Sequence, residues 1–229
     1  MARRPRGSRE TYTITLDGDW SLEDLYKFPR AYEQVYFFIN AVEFPDDYYS
    51  GEEVDHIFRA FPWLGGYSAV GFYNNLKYRT PARRRPKIVS IEYASPGWLE
   101  LSLLVVAAVK IEAIVKAIAN SIDHVNATYN AIRKGIYDRK LSDIKVRREQ
   151  FSLDQETLDF ISRSSDTMAQ MLGLENVRQL DEKTGNKLIS LKILLSFYRR
   201  LKVLADYQAN GKADFTNSRD RSGDGDLLS

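Results

Sequence analysis

At 229 residues, 44% of them apolar, with a net charge of +2, the chain has the length and composition of one large or two small globular domains around a buried core. It contains no cysteine, which excludes disulfides, thiolate catalysis and cysteine-ligated zinc, and which fits a reducing, cytoplasmic setting. The small net charge conceals a polarity along the chain: Asp17, Asp24, Glu33, Glu52, Glu53 and Asp55 belong to an acidic stretch opposed only by Lys27 and Arg30, whereas the basic residues gather elsewhere.

Residues 1–9, with Pro5 and Gly7 among arginines, read as a disordered basic arm, and no apolar run follows that resembles a secretory signal. Residues 11–16 alternate Thr with Tyr12, Ile14 and Leu16, the period of a half-buried strand. Asp17 and Gly18 turn the chain, and Ser21 is an N-cap for a helix with Glu23 and Asp24 in its first turn. Pro29 either kinks that helix or begins a second one.

Residues 45–51 form a loop, and residues 52–61 a short helix showing Val54, Ile57, Phe58 and Phe61. A further helical segment covers residues 67–77, and residues 81–86 form a rigid basic linker. Residues 88–93 are a second strand, with Val89, Ile91 and Tyr93 on one face, expected to pair with the first. Ser95 and Pro96 then read as a helix cap and first helical residue, with Trp98 anchoring the start.

The dominant pattern is a three-four step of apolar residues over residues 101–136, including Leu104, Ala108, Ile111, Val115, Ile118, Ile122, Val125 and Tyr129. This is the seam of a heptad, and it predicts one uninterrupted helix about 50 Å long at roughly 1.5 Å per residue. Lys110, Glu112 and Lys116 each cost roughly 2.5–3.5 kcal/mol in a bilayer, which argues against a span.

Beyond residue 136 charge takes over until a capping pattern at Ser152 and Gln155, which opens a helix with Leu153, Phe160, Ile161, Met168 and Leu172 inward and Gly173 as its stop. A short helical piece follows near Val177 and Leu180, and a last helix over residues 187–208 carries Leu191, Leu194, Tyr198, Leu201 and Ala205 as partner to the long one. Residues 211–229 read as a flexible tail.

The expected fold is therefore α+β, mostly α: a small two-stranded α+β unit over residues 10–95, then a helical part over residues 96–210 built on one long amphipathic helix.

Chemistry is sparse. With two histidines, the best acid–base or metal cluster is Glu52, Glu53, Asp55 and His56, and acids at a helix start are explained more simply by the helix dipole. His124 falls at the edge of the seam. Gly66, Ser68 and Val70 miss the nucleophile elbow because valine stands where glycine is needed, and no dinucleotide loop or Walker run occurs. No catalytic residue, cofactor or metal is assigned, and no small-molecule substrate is evident.

Three functions are expected from this pattern. The first is a non-enzymatic, self-associating assembly or adaptor protein, a homo-oligomer or partner of another protein, joined through the seam residues named above or through opposite charge. The second is nucleic-acid binding through residues 77–87 and 133–148, using Lys77, Arg79, Arg83, Arg84, Arg85, Lys87, Arg147 and Arg148. The third is a membrane-associating effector that exposes residues 101–122.

Overall fold

The computed structural model describes residues 9–43, 51–60, 67–141, 153–174 and 177–216. The chain is mostly helical, with a four-stranded antiparallel sheet in the order β2-β3-β1-β4. The elements are β1 (Arg9–Leu16), α1 (Leu22–Glu43), α2 (Gly51–Ala60), α3 (Tyr67–Arg79), a 3-10 turn (Ala82–Arg84), β2 (Lys87–Glu92), β3 (Gly97–Leu104), α4 (Val105–Asn120), α5 (Ile122–Asp138), α6 (Gln155–Met171), α7 (Val177–Thr184), α8 (Lys187–Ala209) and β4 (Ala213–Asp214).

In β1 the alternation foreseen in the sequence holds, with Tyr12, Ile14 and Leu16 buried on one face and threonines half-buried on the other. Gly18, at φ +66°, turns the chain after it, and the Gly18 N–H donates to the Asp17 carboxylate at 2.8 Å. A reciprocal capping box opens α1: the Asp24 N–H donates to Ser21 Oγ at 3.1 Å and the Ser21 N–H to the Asp24 carboxylate at 2.9 Å. Pro29 lies inside α1 without ending it.

The long central helix does not form. Residues 97–104 are the strand β3, seated between β2 and β1, and the helix after them is divided at Ser121 into α4 and α5. The first discrepancy is a matter of period. Leu99, Leu101 and Leu103 are buried while Trp98, Glu100 and Ser102 are not, so a period of two overlaps the start of the heptad. At the second, the Ser121 hydroxyl donates to the Ala117 carbonyl at 2.8 Å and the Ser121 N–H to that of Ile118 at 3.1 Å, tightening the last turn and ending the helix.

Ser95 and Pro96 consequently cap no helix; they lie in the β2–β3 hairpin, joined by a cis peptide. The expected boundary at residue 95 falls inside that hairpin. The two foreseen strands do not pair with each other, because β3 separates them. Gly97 is required at the hairpin, since a Cβ there would lie 2.8 Å from Ala94 N and 2.9 Å from Ala94 O.

The helix that organises the core is α8. Leu191, Ile193, Leu194, Phe197, Tyr198, Leu201 and Leu204 are all fully buried and form a broad apolar face, and within the helix only Lys187, Arg199 and Ala209 are exposed. It packs against α1, α4 and α6, and the Asn186 side chain caps it by accepting from the N–H groups of Leu188 at 2.8 Å and Ile189 at 3.2 Å. At α6 the cap is Asp154, which accepts from the Thr157 N–H at 2.7 Å; the foreseen cap, Ser152, lies outside the described residues.

The tail begins later than its composition suggests. Ala213 and Phe215 are fully buried, β4 pairs with β1, and Phe215 joins an aromatic cluster with Phe28 and Tyr32. Phe215→Ala should therefore lower the unfolding free energy by about 3–5 kcal/mol in urea denaturation.

The same corner holds Asp24, whose carboxylate accepts from the Tyr207 hydroxyl at 2.6 Å and from Lys212 Nζ at 3.0 Å. The Tyr207 hydrogen bond foremost, then the Ser21 N–H and Lys212, hold its pKa well below the usual carboxylate range. A pKa lowered by folding contributes stability that is complete above the unfolded value near 3.9 and is lost as pH falls below it. Asp24→Asn is expected to be less stable than the wild type at about pH 6 and to lose less stability on acidification to about pH 3, measured by urea midpoints.

Candidate functional site

The face that the chain leaves bare is the β2 edge of the sheet. β2 has β3 on one side and no strand among the described residues on the other. Ile88, Val89 and Ile91 are 58%, 53% and 51% exposed, whereas apolar residues of the neighbouring strand β3 on the covered face are buried. Tyr93 and Trp98 extend the patch at the hairpin end. Exposed β-branched residues on an unpaired edge are what most sheets avoid.

A bulge at Val89 decides which way these side chains point. Lys87 faces Ser102 and Ile88 faces Leu101, but Ser90 faces Glu100, Ile91 faces Leu99 and Glu92 faces Trp98, so Val89 is the extra residue. Because Leu99 and Leu101 line the covered face, Ile88 and Ile91 both lie on that face, and Lys87, Ser90 and Glu92 lie on the other. The foreseen grouping of Val89, Ile91 and Tyr93 on one face does not survive the inserted residue. On the open face the Trp98 indole N–H donates to Ser90 Oγ at 3.3 Å, and Ser90 Oγ donates to Glu100 at 3.1 Å.

Beside β2, on the covered side, lies a cleft of about 520 Å³ between α1, α3 and the sheet, with Ile88 at its wall and Leu99 and Leu101 in its lining. Its charged lining is already engaged: Lys77 pairs with Glu33 at 2.8 Å, and Arg30 lies over the Tyr26 ring at 5.4 Å. Besides that ion pair and Arg30 its polar lining, among the described residues, is Gln34, Asn74, Tyr26, Tyr32 and Tyr73. Tyr32, also in the lining, carries a buried hydroxyl with no hydrogen-bond partner among the described residues, and burial pushes its pKa up.

The heptad seam is elsewhere and is occupied. Leu104, Ala108, Ile111, Val115, Ile118, Val125 and Tyr129 lie in the chain's own core and Ile122 is half-buried; α4 packs on α8 and α1, and Tyr129 meets the Tyr198 ring at 4.8 Å. In this fold seven of these eight seam residues are covered by the chain itself. Residues 101–104 are strand, Val106 and Val109 are half-exposed on α4, and no helix among the described residues is long and apolar enough to cross a membrane.

Part of the basic segment serves the fold. Arg85 Nε donates to the Thr80 carbonyl at 3.0 Å and its Nη2 to that of Tyr78 at 3.2 Å, closing the end of α3, while Lys77 is paired as above. Arg79 and Lys87 are exposed and Arg84 is half-buried; the Arg83 side chain, Arg147 and Arg148 lie outside the described residues.

His56 and His124 are exposed, Asp55 meets Lys183 at 3.6 Å and Arg59 at 3.8 Å, and the side chains of Glu52 and Glu53 lie outside the described residues. Among the described residues no group of His, Asp and Glu suits a metal ion.

One cluster escaped the sequence pattern. The Tyr12 hydroxyl approaches Glu112 at 2.8 Å and the Phe215 carbonyl, and Lys116 donates to Glu112 at 2.7 Å and to Thr216 Oγ1 at 2.8 Å. Of its side-chain contacts only that of Glu112 with Lys116, four residues apart on one helix, is local along the chain. This network fastens the C-terminal strand to α4, and burial raises the Tyr12 pKa.

Comparison with protein-family models, with curated proteins and with solved structures finds no match to this chain.

Two of the buried tyrosines, Tyr12 and Tyr32, should respond oppositely to loss of the hydroxyl. Tyr12→Phe is expected to cost about 1.5–3 kcal/mol in urea denaturation, because a hydrogen bond to a carboxylate is lost. Tyr32→Phe is expected to leave stability unchanged or raise it by up to about 1 kcal/mol, because it removes a desolvated group that has no partner among the described residues.

Proposed function

We propose that this chain is a non-enzymatic assembly module that joins copies of itself edge to edge through β2. The observation that carries this reading is the strand itself, an edge with Ile88, Val89 and Ile91 each more than half exposed. Strand addition satisfies the backbone groups of a bare edge and buries its apolar side chains in one step. The contrast between the two edges supports it. At the other end of the sheet β4 pairs with Thr15 and Leu16 of β1, and the apolar residues there, Tyr12, Ile14, Ala213 and Phe215, are buried, so among the described residues that end shows no apolar side chains in need of cover.

A nucleic-acid role draws on the exposed Lys87, Arg79 and Tyr78, but it has less support, since Lys77 and Arg85 are spent within the fold.

Light scattering at micromolar concentration should give a mass above the 26.4 kDa of one chain. Ile91→Lys is expected to return it to the single-chain value without loss of helical circular dichroism, because Ile91 is half-exposed and its removal opens no cavity. A wild-type protein that is a single chain at every concentration overturns the proposal.

A further inference from the structure

We infer that two copies pair β2 to β2 in one register, antiparallel about a two-fold axis normal to the sheet near Ser90, with Lys87 of each copy facing Glu92 of the other. The inference rests on the self-association proposed above and adds to it the operator and the contacts.

A two-fold axis normal to a sheet keeps each face on its own side, so residues that meet across the new seam must start on the same face. In a regular strand Lys87 and Glu92, five positions apart, point to opposite faces, and such a pairing is impossible under that axis. The bulge changes this. With Val89 inserted, Lys87 and Glu92 share the open face and Ile88 and Ile91 share the covered one. The strand is then self-complementary: Lys87 meets the second copy's Glu92, Ile88 meets its Ile91, and Ser90 lies at the axis.

Each contact occurs twice, as it must in an isologous interface. Opposite charges directly across a strand pair stabilise it and like charges oppose it, while the Ile88–Ile91 pairs bury side chains now in water. Because Ile88 also borders the cleft, the second copy's Ile91 comes to rest at the cleft's mouth.

A bulge on an edge strand serves in many sheets to prevent pairing, and in that case no dimer forms. What separates the two roles is the palindrome of charge, which a purely obstructive bulge does not require.

The test is sedimentation equilibrium on the full chain with Lys87→Glu, Glu92→Lys and the double variant. Each single reversal puts like charges face to face at two symmetry-related places and should weaken dimerisation about tenfold, an effect that shrinks at high salt. The double variant restores opposite charges at both places and should recover the wild-type dissociation constant.

A dimer that tolerates both single reversals, or a double variant as weak as the singles, overturns the register while leaving self-association in place. Open-ended assembly overturns the two-fold axis. A wild-type monomer overturns both the register and the function on which it rests.

Discussion

The enclosure of α8 is the constraint on which the rest of the structure depends. A helix that buries Leu, Ile, Phe and Tyr along most of its girth and gives water only a narrow stripe along Lys192, Arg199 and Asp206 has to be covered by the chain on its other sides. α1, α4, α6 and α7 do so, and they use up the apolar surface of α4 and α5 that a heptad would otherwise direct outward. Burial of the seam is thus a requirement of its neighbour as much as a property of its own sequence.

The sheet meets the same helical layer from one side. Its central strands β1 and β3 bury alternate side chains beneath the helices, and their other faces carry Thr, Ser and Glu. β2 is carried outward by the order of the strands, past the cover that protects Leu99 and Leu101, and its apolar residues stay bare. Exposure at this edge follows from topology: the hairpin places β3 inside and β2 outside, whatever the hydrophobicity of each.

Much of the local structure was legible in the residues. Alternation gave β1, and turn chemistry gave its end; the three-four step gave α8, and Gly173, at φ +60°, closes α6 as its position implied. The error at residues 97–104 arose because leucines at 99, 101, 103 and 104 satisfy a strand and the first turn of a helix at once, and what resolves the ambiguity is the pairing with β1, a partner about ninety residues away along the chain. The break at Ser121 is invisible to periodicity, since a one-residue joint leaves the count of apolar residues intact. The candidate surface was half legible. Ile88 and Ile91 stood out as strand residues, but nothing in a single strand's composition reports a bulge or says whether another strand will lie beside it.

Asp24, Tyr207 and Lys212 tie the start of α1, the end of α8 and the approach to β4 into one corner, at the sheet end remote from β2. β4 therefore lies at the margin of the sheet opposite the bare strand. In an eight-stranded sheet made from two chains the two β4 strands stand at the outer margins, seven strand spacings or about 34 Å apart. That separation suits resonance energy transfer, so dyes placed beside β4 report on the pair without touching the seam that makes it.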